Sequence, residues 1–312
     1  MLSTVLSALT LVHLSIAGYV VHDTYDPSNF FDQFSFFDQT DPTQGFVDYV
    51  SADVANSSGL IDTSGGSVYI GTDHTNEAPN GRPSVRITSN KSYNEGLVIL
   101  DLEHFPGGIC GTWPAFWMVG PNWPSAGEID IMEGANTQST NSMTLHTSSG
   151  CEIGSSSGFA GTMSTDNCFV NAAGQDENAG CGISDTDEFT YSGFNENKGG
   201  VFATEIDPDN NAISIWFFSR SSIPSDITSG NPDPTSWGQP RASFNSGCDI
   251  AEHFQDLQIV FDLTFCGSWA GSAWSSDSTC AAMSDSCDAY VESNPSAFTD
   301  AYWTINSLKV YQ

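Results

Sequence analysis

Basic residues are scarce in this sequence. Its 312 residues include 7 lysines and arginines against 38 aspartates and glutamates, which gives a formal net charge of −31 at pH 7. Nucleic-acid binding depends on clustered cations that neutralise phosphates, so this composition excludes a nucleic-acid partner. Sulfated and uronic polysaccharides would be repelled for the same reason, and a neutral partner is expected.

Long apolar runs are also missing. No stretch reaches the length that crosses a membrane, so no membrane partner is expected. Residues 1–17 (MLSTVLSALTLVHLSIA) are apolar and short, and Ser15-Ile16-Ala17 has the small–x–small pattern of a signal-peptide cleavage site. No lysine or arginine precedes this run, and the alternative is a buried N-terminal segment. We expect a signal peptide over residues 1–17 and a secreted, extracellular monomer formed by a single domain over residues 18–312.

The spacing of the cysteines excludes C-x-x-C pairs, and with them the usual zinc sites, so no metal is expected. The count of eight is even, which favours disulfides in a secreted chain but leaves 105 possible pairings open. Asn56 and Asn90 each begin an N-x-S sequon and are predicted glycosylation sites. The eight cysteines are Cys110, Cys151, Cys168, Cys181, Cys248, Cys266, Cys280 and Cys287.

Convincing amphipathic helices are absent as well, whereas short apolar runs between turn residues are frequent. Hydrophobic residues make up 39% and aromatic residues 12% of the chain, which argues against a disordered polyanion. Many short strands without helices predict an all-β sandwich or barrel, with residues 18–59 supplying edge strands and loops. The predicted strands include residues 84–88, 97–102, 257–265 and 303–311, and a hairpin of residues 201–206 and 213–218.

The segment GEIDIMEG at residues 127–134 carries three acidic residues in an otherwise apolar strand. Acidic residues are poor strand formers, so their presence needs a reason. Glu128 and Asp130 share one face because side chains alternate with period two. Glu133 would lie on the opposite face of a regular strand, but a β-bulge at Ile131 and Met132 returns it to the face of the other two acids.

The following strand, SMTLH at residues 142–146, tests this bulge. If Glu133 pairs with Ser142 in an antiparallel hairpin, the bulge makes Asp130 meet Thr144 and Glu128 meet His146. The polar side chains of both strands then lie on one face, and Ile129, Met143 and Leu145 lie on the other. Without the bulge the two alternations disagree.

Two glutamates on one face suit glycoside hydrolysis, in which one carboxylate attacks the anomeric carbon and the other donates a proton to the leaving oxygen. A retaining enzyme needs its two carboxyl groups roughly 5–5.5 Å apart, which long Glu side chains can reach over a concave sheet. Asp130 between them can orient one of them, and mutual repulsion should raise one pKa. The alternatives are a calcium site and a solvated acidic face.

The run EIDIME at residues 128–133 resembles the bulged catalytic signature of glycoside hydrolase family 16. Further segments are similar to the fungal endo-β-1,3-glucanases of laminarinase type in that family, and the resemblance extends from about residue 60 to the end. They are RPSVRI at 82–87, GTWPAFWM at 111–118, WPSAG at 123–127, TLHT at 144–147, FCGSWAG at 265–271 and LKVY at 308–311.

This resemblance implies a β-jelly roll of two curved antiparallel sheets with the substrate in a concave cleft. It implies retaining hydrolysis in which Glu128 is the nucleophile, Glu133 the acid/base and Asp130 an assisting carboxylate. No cofactor or metal is needed for that chemistry. Some relatives carry a structural calcium ion, and no motif in this sequence decides whether one is present here.

Aromatic residues near the signature are candidate platforms for sugar rings. Trp123, Trp117 and Trp269 are predicted to bind substrate, with core packing as the alternative, whereas Trp113 is expected in the core. His146 faces the carboxylates in the predicted register, with a structural strand histidine as the alternative. Arg86 is predicted to bind glucan hydroxyls, with an ion pair as its structural alternative.

These expectations together predict an endo-β-1,3(4)-glucanase that hydrolyses a neutral β-glucan through a covalent intermediate on Glu128. Two other functions stay open. A transglycosylase would use the same carboxylates but exclude water. A non-catalytic β-glucan-binding protein could share the fold, although binding alone does not require two converging acids.

Overall fold

The computed structural model describes residues 18–154 and 158–312. The predicted signal peptide, residues 1–17, lies outside the described residues. Within the described ranges, no helix is long and apolar enough to cross a membrane.

Most of the chain forms two large sheets. The first sheet has the strand order β16-β15-β14-β8-β18-β5-β4, and β1 also pairs with β18. All its pairings are antiparallel. Its strands are β1 (Val21–Tyr25), β4 (Ile61–Asp62), β5 (Val68–Ile70), β8 (Gly96–His104), β14 (Gly200–Asp207), β15 (Ala212–Ser219), β16 (Ala242–Asn245) and β18 (Trp303–Tyr311).

The second sheet has the order β12-β13-β11-β10-β9-β17-β7-β2. It is also antiparallel throughout. Its strands are β2 (Phe34–Phe36), β7 (Arg86–Tyr93), β9 (Thr112–Val119), β10 (Glu128–Glu133), β11 (Ser142–His146), β12 (Thr162–Met163), β13 (Cys181–Ser184) and β17 (Leu257–Phe265). A small parallel pair joins β3 (Val47–Tyr49) to β6 (Arg82–Ser84).

The helices of the described chain are all short. The longest α-helix has 7 residues, so the expected absence of helices holds for long helices and not for short ones. The α-helices are α1 (Ala52–Ser57), α2 (Ser225–Ser229), α3 (Ile250–His253), α4 (Ser278–Ala281) and α5 (Cys287–Ser293). Single turns of 3₁₀-helix occupy Phe31–Gln33, Glu188–Thr190, Pro234–Ser236 and Pro295–Phe298, and a π-helical turn occupies Gly267–Gly271.

The main hydrophobic core lies between the two sheets. On β9 and β17 of the second sheet, Phe116 stacks on Phe261 with ring centroids 4.7 Å apart. Phe261 in turn meets Trp303 of β18 in the first sheet, edge to face at 5.6 Å. All three rings are buried. The predicted all-β sandwich is therefore confirmed, and the two large antiparallel sheets form a β-jelly roll.

The outer face of the first sheet is covered by its own chain. Trp237 packs edge to face against Trp216 and Phe218 of β15, with centroids 5.5 and 5.4 Å apart. Leu97 and Ile99 of β8 are buried in the same smaller cluster. This covering gives the first sheet a second apolar layer. The outer face of the second sheet carries the acidic residues instead.

The strands predicted from alternation agree with the structure. The predicted hairpin is β14 paired with β15 from Gly200 with Ser219 to Asp207 with Ala212. The predicted strands at 257–265 and 303–311 are β17 and β18. The predicted strand at 84–88 is divided, since β6 ends at Ser84 and β7 begins at Arg86.

The strands at the sheet ends are short. In the second sheet the end strands β12 and β2 have 2 and 3 residues. In the first sheet β16 and β4 have 4 and 2 residues, and β1 has 5. Residues 18–59 contribute the short strands β1, β2 and β3, in keeping with the expected edge strands, and also the helix α1, which was not expected.

All eight cysteines lie in the described part of the chain and form four disulfides, so the structure selects one of the 105 pairings. Two of these bonds anchor the segment that follows β17. The pairs are Cys110–Cys280, Cys151–Cys248, Cys168–Cys181 and Cys266–Cys287.

Candidate active site

The register between β10 and β11 is the one predicted from the alternation of polar residues. Glu128 pairs with His146, Asp130 with Thr144 and Glu133 with Ser142, and the register shifts between Asp130 and Glu133. Ile131 and Met132, within the bulge, are both fully buried in the core. The bulge therefore leaves Glu128, Asp130 and Glu133 together on the outer face of the second sheet, which we call the carboxylate face.

His146 contacts the carboxylates directly. Its Nε2 lies 3.2 Å from Oδ2 of Asp130 and 3.9 Å from Oε1 of Glu128. His146 and Asp130 are both buried, with 7% and 3% of their surface exposed. The prediction that His146 faces the carboxylates is confirmed, and Asp130 lies where it can orient its neighbours.

Trp113 was expected in the core, and this expectation is wrong. Its indole Nε1–H donates a 2.8 Å hydrogen bond to Oε1 of Glu133. Alternation places Trp113, Ala115 and Trp117 on one face of β9, and cross-strand pairing of Ala115 with Glu133 puts that face outside. The shared face of Trp113 and Trp117 was visible in the sequence, and it was the signal that could have assigned Trp113 to the site.

Arg86 and Trp117 form the next part of the carboxylate face. The Arg86 guanidinium lies between the rings of Phe37 and Trp117, 4.9 Å from each centroid. Its Nη1 is 3.7 Å from Oδ2 of Asp262 on β17. Arg86 thus makes the ion pair that was its structural alternative, and Trp117 packs beside Asp130 through their cross-strand pairing. Glucan binding by either residue stays a prediction.

Asp262 is a site residue that sequence reasoning missed. It is buried and pairs across β17 and β9 with Ala115, whose other neighbour is Glu133. Burial raises the pKa of Asp262 to about 7, although the positive charge of Arg86 opposes that rise. No local sequence signal marked Asp262, because its place beside the signature depends on the pairing of strands that are distant in the chain.

Trp123 and Trp269 both lie in loops. Trp123 precedes β10 and is exposed, with 46% of its surface accessible. Trp269 lies in the π-helical turn and is half-buried. Its ring meets that of Trp113 edge to face at 5.6 Å. The structure therefore links Trp269 to Glu133 through Trp113, whereas Trp123 presents a free aromatic surface.

Tyr191 closes the site behind Glu133. Its ring is buried, and its hydroxyl has no hydrogen-bond partner within the described residues. Burial and the nearby charge of Glu133 raise the pKa of Tyr191 well above its usual value. A Cβ atom at Gly134 would come within 2.5 Å of the Tyr191 ring, so the residue after Glu133 has to be glycine. Tyr191 was also missed from the sequence.

Burial dominates the protonation of the three acids. It raises the pKa of Glu128 to about 8, and the charge of Asp130 adds to this rise while His146 opposes it. Burial and the charge of Asp130 likewise raise the pKa of Glu133 to about 8, and the Trp113 hydrogen bond opposes that rise. Burial raises the pKa of Asp130 as well. Because the acids interact, their pKa values belong to the cluster, which retains protons in mild acid.

Three donor groups could in principle hold a cation. Ligand atoms of Glu128, Asp130 and His146 lie within 4.8 Å of one another. The prediction that the site works without a metal or cofactor stays a prediction.

Comparison with known proteins finds a matching family model and relatives of similar sequence. The family model described as the XgeA-like catalytic GH16 domain matches residues 34–311. An endo-1,3(4)-β-glucanase of Arthroderma benhamiae is 48% identical over 97% of this chain and 66% of its own length. A probable endo-1,3(4)-β-glucanase of Aspergillus fumigatus is 45% identical over 99% of this chain and 48% of its own length. The chain thus spans about half to two thirds of the length of these curated relatives.

Two solved structures superpose on this chain with a TM-score of 0.87. One is an elongating family 16 β-1,3-glucosyltransferase, which is 46% identical and covers 94% of this chain and 100% of its own. The other is laminarinase 16A from Phanerochaete chrysosporium, with 6-O-glucosyl-laminaritriose in its donor and acceptor sites. It is 40% identical and covers 95% of this chain and 100% of its own.

Proposed function

This chain belongs to glycoside hydrolase family 16, and we propose that it is a secreted endo-β-1,3(4)-glucanase. Its substrate is β-1,3-glucan or a mixed-linkage β-glucan, and hydrolysis retains the anomeric configuration. The observation that carries this proposal is the bulge of β10, which brings Glu133 to the face of Glu128. A face built only to bind glucan would not need two half-buried acids with raised pKa values.

In the first step, the carboxylate of Glu128 attacks the anomeric carbon while Glu133 gives its proton to the leaving glycosidic oxygen. The bond from carbon to that oxygen breaks, and a glycosyl ester forms on Glu128. Burial favours the protonated form of Glu133, as its task as the acid requires, whereas the positive charges of His146 and Arg86 favour the carboxylate form of Glu128. Asp130 and His146 lie beside Glu128 and orient its carboxyl group.

In the second step, Glu133 takes a proton from water, and the resulting hydroxide oxygen attacks the same carbon. The ester to Glu128 breaks, Glu133 is again protonated, and Glu128 returns as a carboxylate. We assign substrate binding to Trp117, Trp123, Trp269, His146 and Arg86. A neutral glucan fits a protein of charge −31 better than an anionic polysaccharide does.

Secretion is part of the same proposal. Four disulfides are typical of proteins that fold in an oxidising compartment. The two sequon asparagines, Asn56 and Asn90, are exposed, as glycan acceptors have to be. The proposal also includes a signal peptide over residues 1–17 and a single catalytic domain over residues 18–312.

Transglycosylation is the second candidate function, because a solved structure that matches this chain with a TM-score of 0.87 is an elongating β-1,3-glucosyltransferase. Both reactions share the first step and differ in whether water or a sugar hydroxyl takes the glycosyl group. Product analysis separates them, since hydrolysis yields short reducing sugars and transfer yields longer oligosaccharides.

The test is the product profile on laminarin, lichenan and chitin, together with the E133A variant. We expect reducing sugars from laminarin and initial products of β configuration by NMR. With an activated aryl laminaribioside, E133A should still glycosylate Glu128, because the leaving group needs no acid, whereas laminarin hydrolysis should be lost. The exposed Glu177 provides the control variant E177A. An unchanged laminarin rate in E133A would remove the assignment.

A further inference from the structure

The bulge of β10 disturbs the backbone ladder to β11. Between the pairs Asp130 with Thr144 and Glu133 with Ser142, four residues of β10 face three of β11. A bulge of this kind leaves backbone groups without strand partners. Here the groups are the carbonyl of Ile131 and the N–H of Glu133. Both groups lie in the bulge that returns the Glu133 side chain to the carboxylate face.

The side chain of Asn141 supplies both missing partners. Its Nδ2 donates a 2.8 Å hydrogen bond to the carbonyl oxygen of Ile131. Its Oδ1 accepts a 2.9 Å hydrogen bond from the backbone N–H of Glu133. Asn141 is fully buried, so water does not compete for these groups. One planar amide therefore acts as the additional peptide group that β11 lacks opposite the bulge.

We propose that Asn141 is a positioning residue for the acid/base Glu133. By holding the bulge, Asn141 keeps the Glu133 side chain on the carboxylate face. A slip of one residue into a regular register would turn Glu133 toward the core. The inference rests on the proposed function insofar as it gives Glu133 a catalytic task.

Asn141 is itself fixed by a neighbouring segment. Its backbone N–H donates to Oγ1 of Thr190 at 3.2 Å, and its carbonyl accepts from the N–H of Asp185 at 2.8 Å. The amide that holds the bulge is thus tied to residues 185–190, and it cannot follow β10 if that strand shifts. Glu133 is then held at both ends, by Asn141 at its backbone and by Trp113 at its carboxyl group.

The chemistry demands an asparagine at this position. The site requires a donor toward Ile131 and an acceptor toward Glu133 on one short side chain, and a carboxamide offers both. Aspartate keeps the acceptor but places a second oxygen against the Ile131 carbonyl. Alanine removes both groups. N141D and N141A therefore remove the clamp to different extents, and N141D preserves the volume of the side chain.

The chain offers a matched control in Asn211. Its amide also bridges two backbone groups, donating to the carbonyl of Cys248 at 2.5 Å and accepting from the N–H of Ile250 at 2.9 Å. Asn211 lies in the turn between β14 and β15 of the first sheet, away from the carboxylate face. N211A thus reports what the loss of a bridging amide, together with alanine at a left-handed position (φ 55°), does to the fold away from the carboxylate face.

The experiment measures kcat and KM of the full chain and its variants on laminarin and on 2,4-dinitrophenyl β-laminaribioside. For N141A and N141D we expect kcat on laminarin to fall about 100-fold, the lower end of general acid catalysis, with KM changed by less than about threefold. Release of dinitrophenol in the first turnover should stay within about threefold of wild type, because that leaving group needs no proton. Azide, which needs no general base, should accelerate later turnovers of both variants but not of N211A.

The inference would be overturned if N141A and N141D lost as much activity on the dinitrophenyl substrate as on laminarin. Asn141 would then have only a structural role. A crystal structure of either variant in which Glu133 still accepts the Trp113 hydrogen bond would also overturn the inference. That structure tests the clamp without reference to activity. If the wild type neither hydrolyses nor transfers β-glucan, the proposed function fails, and the crystallographic result still decides the position of Glu133.

Discussion

The indole N–H of Trp113 donates a 2.8 Å hydrogen bond to the carboxyl of Glu133, the residue that the bulge delivers to the outer face of its sheet. Burial raises the pKa of Glu133 to about 8, and this hydrogen bond opposes the rise because it favours the carboxylate form. Trp113 therefore influences both where the carboxyl group lies and when it holds a proton.

Replacing Trp113 by phenylalanine keeps an aromatic ring at this position and removes the N–H group that donates to Glu133. The pKa of Glu133 should rise, so the basic limb of the pH profile of kcat/KM should move to higher pH. We expect kcat to fall about tenfold, since a hydrogen bond of about 1.4 kcal/mol corresponds to that factor in rate. W216F is the control. The Trp216 indole, on β15 of the first sheet, donates a hydrogen bond to the carbonyl of Gly238 and not to a carboxyl group. A basic limb that stays in place would contradict the role given to Trp113.

Arg86 should act on the nucleophile in a similar way. Burial raises the pKa of Glu128 to about 8, and the positive charge of Arg86 opposes that rise. In R86M the pKa of Glu128 should increase, moving the acidic limb of kcat/KM to higher pH and narrowing the active range. R220M removes an arginine that pairs with Asp101 at 2.8 Å on the first sheet, and its profile should match that of wild type. An acidic limb shifted to lower pH in R86M would refute the prediction.

The raised pKa of the half-buried Glu133 should also make folding stability depend on pH. The pKa of Glu133 rises from 4.5 in the unfolded chain to about 8 in the folded one. The folded state therefore binds the proton more tightly, and the stability from Glu133 is present below pH 4.5 and is lost as the pH rises through 8. E133Q cannot lose a proton and should avoid this loss, which amounts to about 1.4 kcal/mol for each unit of pKa shift.

Thermal unfolding across pH 4 to 8 checks this expectation (the range is set by those two pKa values). The melting temperature of E133Q should exceed that of wild type by about 10 °C or more near pH 8, at about 2–4 °C for each kcal/mol, and the difference should vanish near pH 4. Comparing the two proteins at each pH cancels the effect of the overall negative charge. E177Q, at an exposed turn residue, should follow wild type throughout. A difference that grows toward acid pH would have the wrong sign.

The disulfides should contribute unequally to stability. Cys151–Cys248 closes a loop of 97 residues and Cys168–Cys181 closes one of 13 within it. Loop-closure entropy predicts a loss of about 4.5 kcal/mol for the first bond and about 3 kcal/mol for the second. Chemical denaturation of the two double-serine variants measures these losses. A smaller loss for C151S/C248S than for C168S/C181S would show that native-state effects outweigh chain entropy.

The bulge of β10 was predictable because two strands constrain each other. The acids of β10 alone allow a regular strand, but the alternation of Ser142 to His146 agrees with it only after one extra residue is inserted. The hairpin of β14 and β15 was predictable for the same reason, since its partners are neighbours in the chain. A local sequence pattern therefore predicts strand pairing where the paired strands are neighbours in the chain.

Residues brought in by distant strands were not predictable from the sequence. Asp262 reaches the acids because β17 pairs with β9, and nothing within β17 itself indicates which strand lies beside it. The sequence left all 105 disulfide pairings open, because pairing depends on distances in the folded chain. Trp113 was wrongly predicted to lie in the core. Alternation shows that Trp113 and Trp117 share one face of their strand, but it does not show which face of the sheet is buried.

The short strands at the ends of both sheets also have a consequence for how molecules of this protein meet. A sheet edge exposes N–H and C=O groups that can pair with a strand of a neighbouring molecule and start aggregation. Here the end strands have only 2 to 5 residues, while the nine-residue strands β8, β17 and β18 lie inside the sheets. An incoming strand would find too short a row of groups to pair with. The risk of fibril formation in this β-rich chain is therefore confined to its unfolded states.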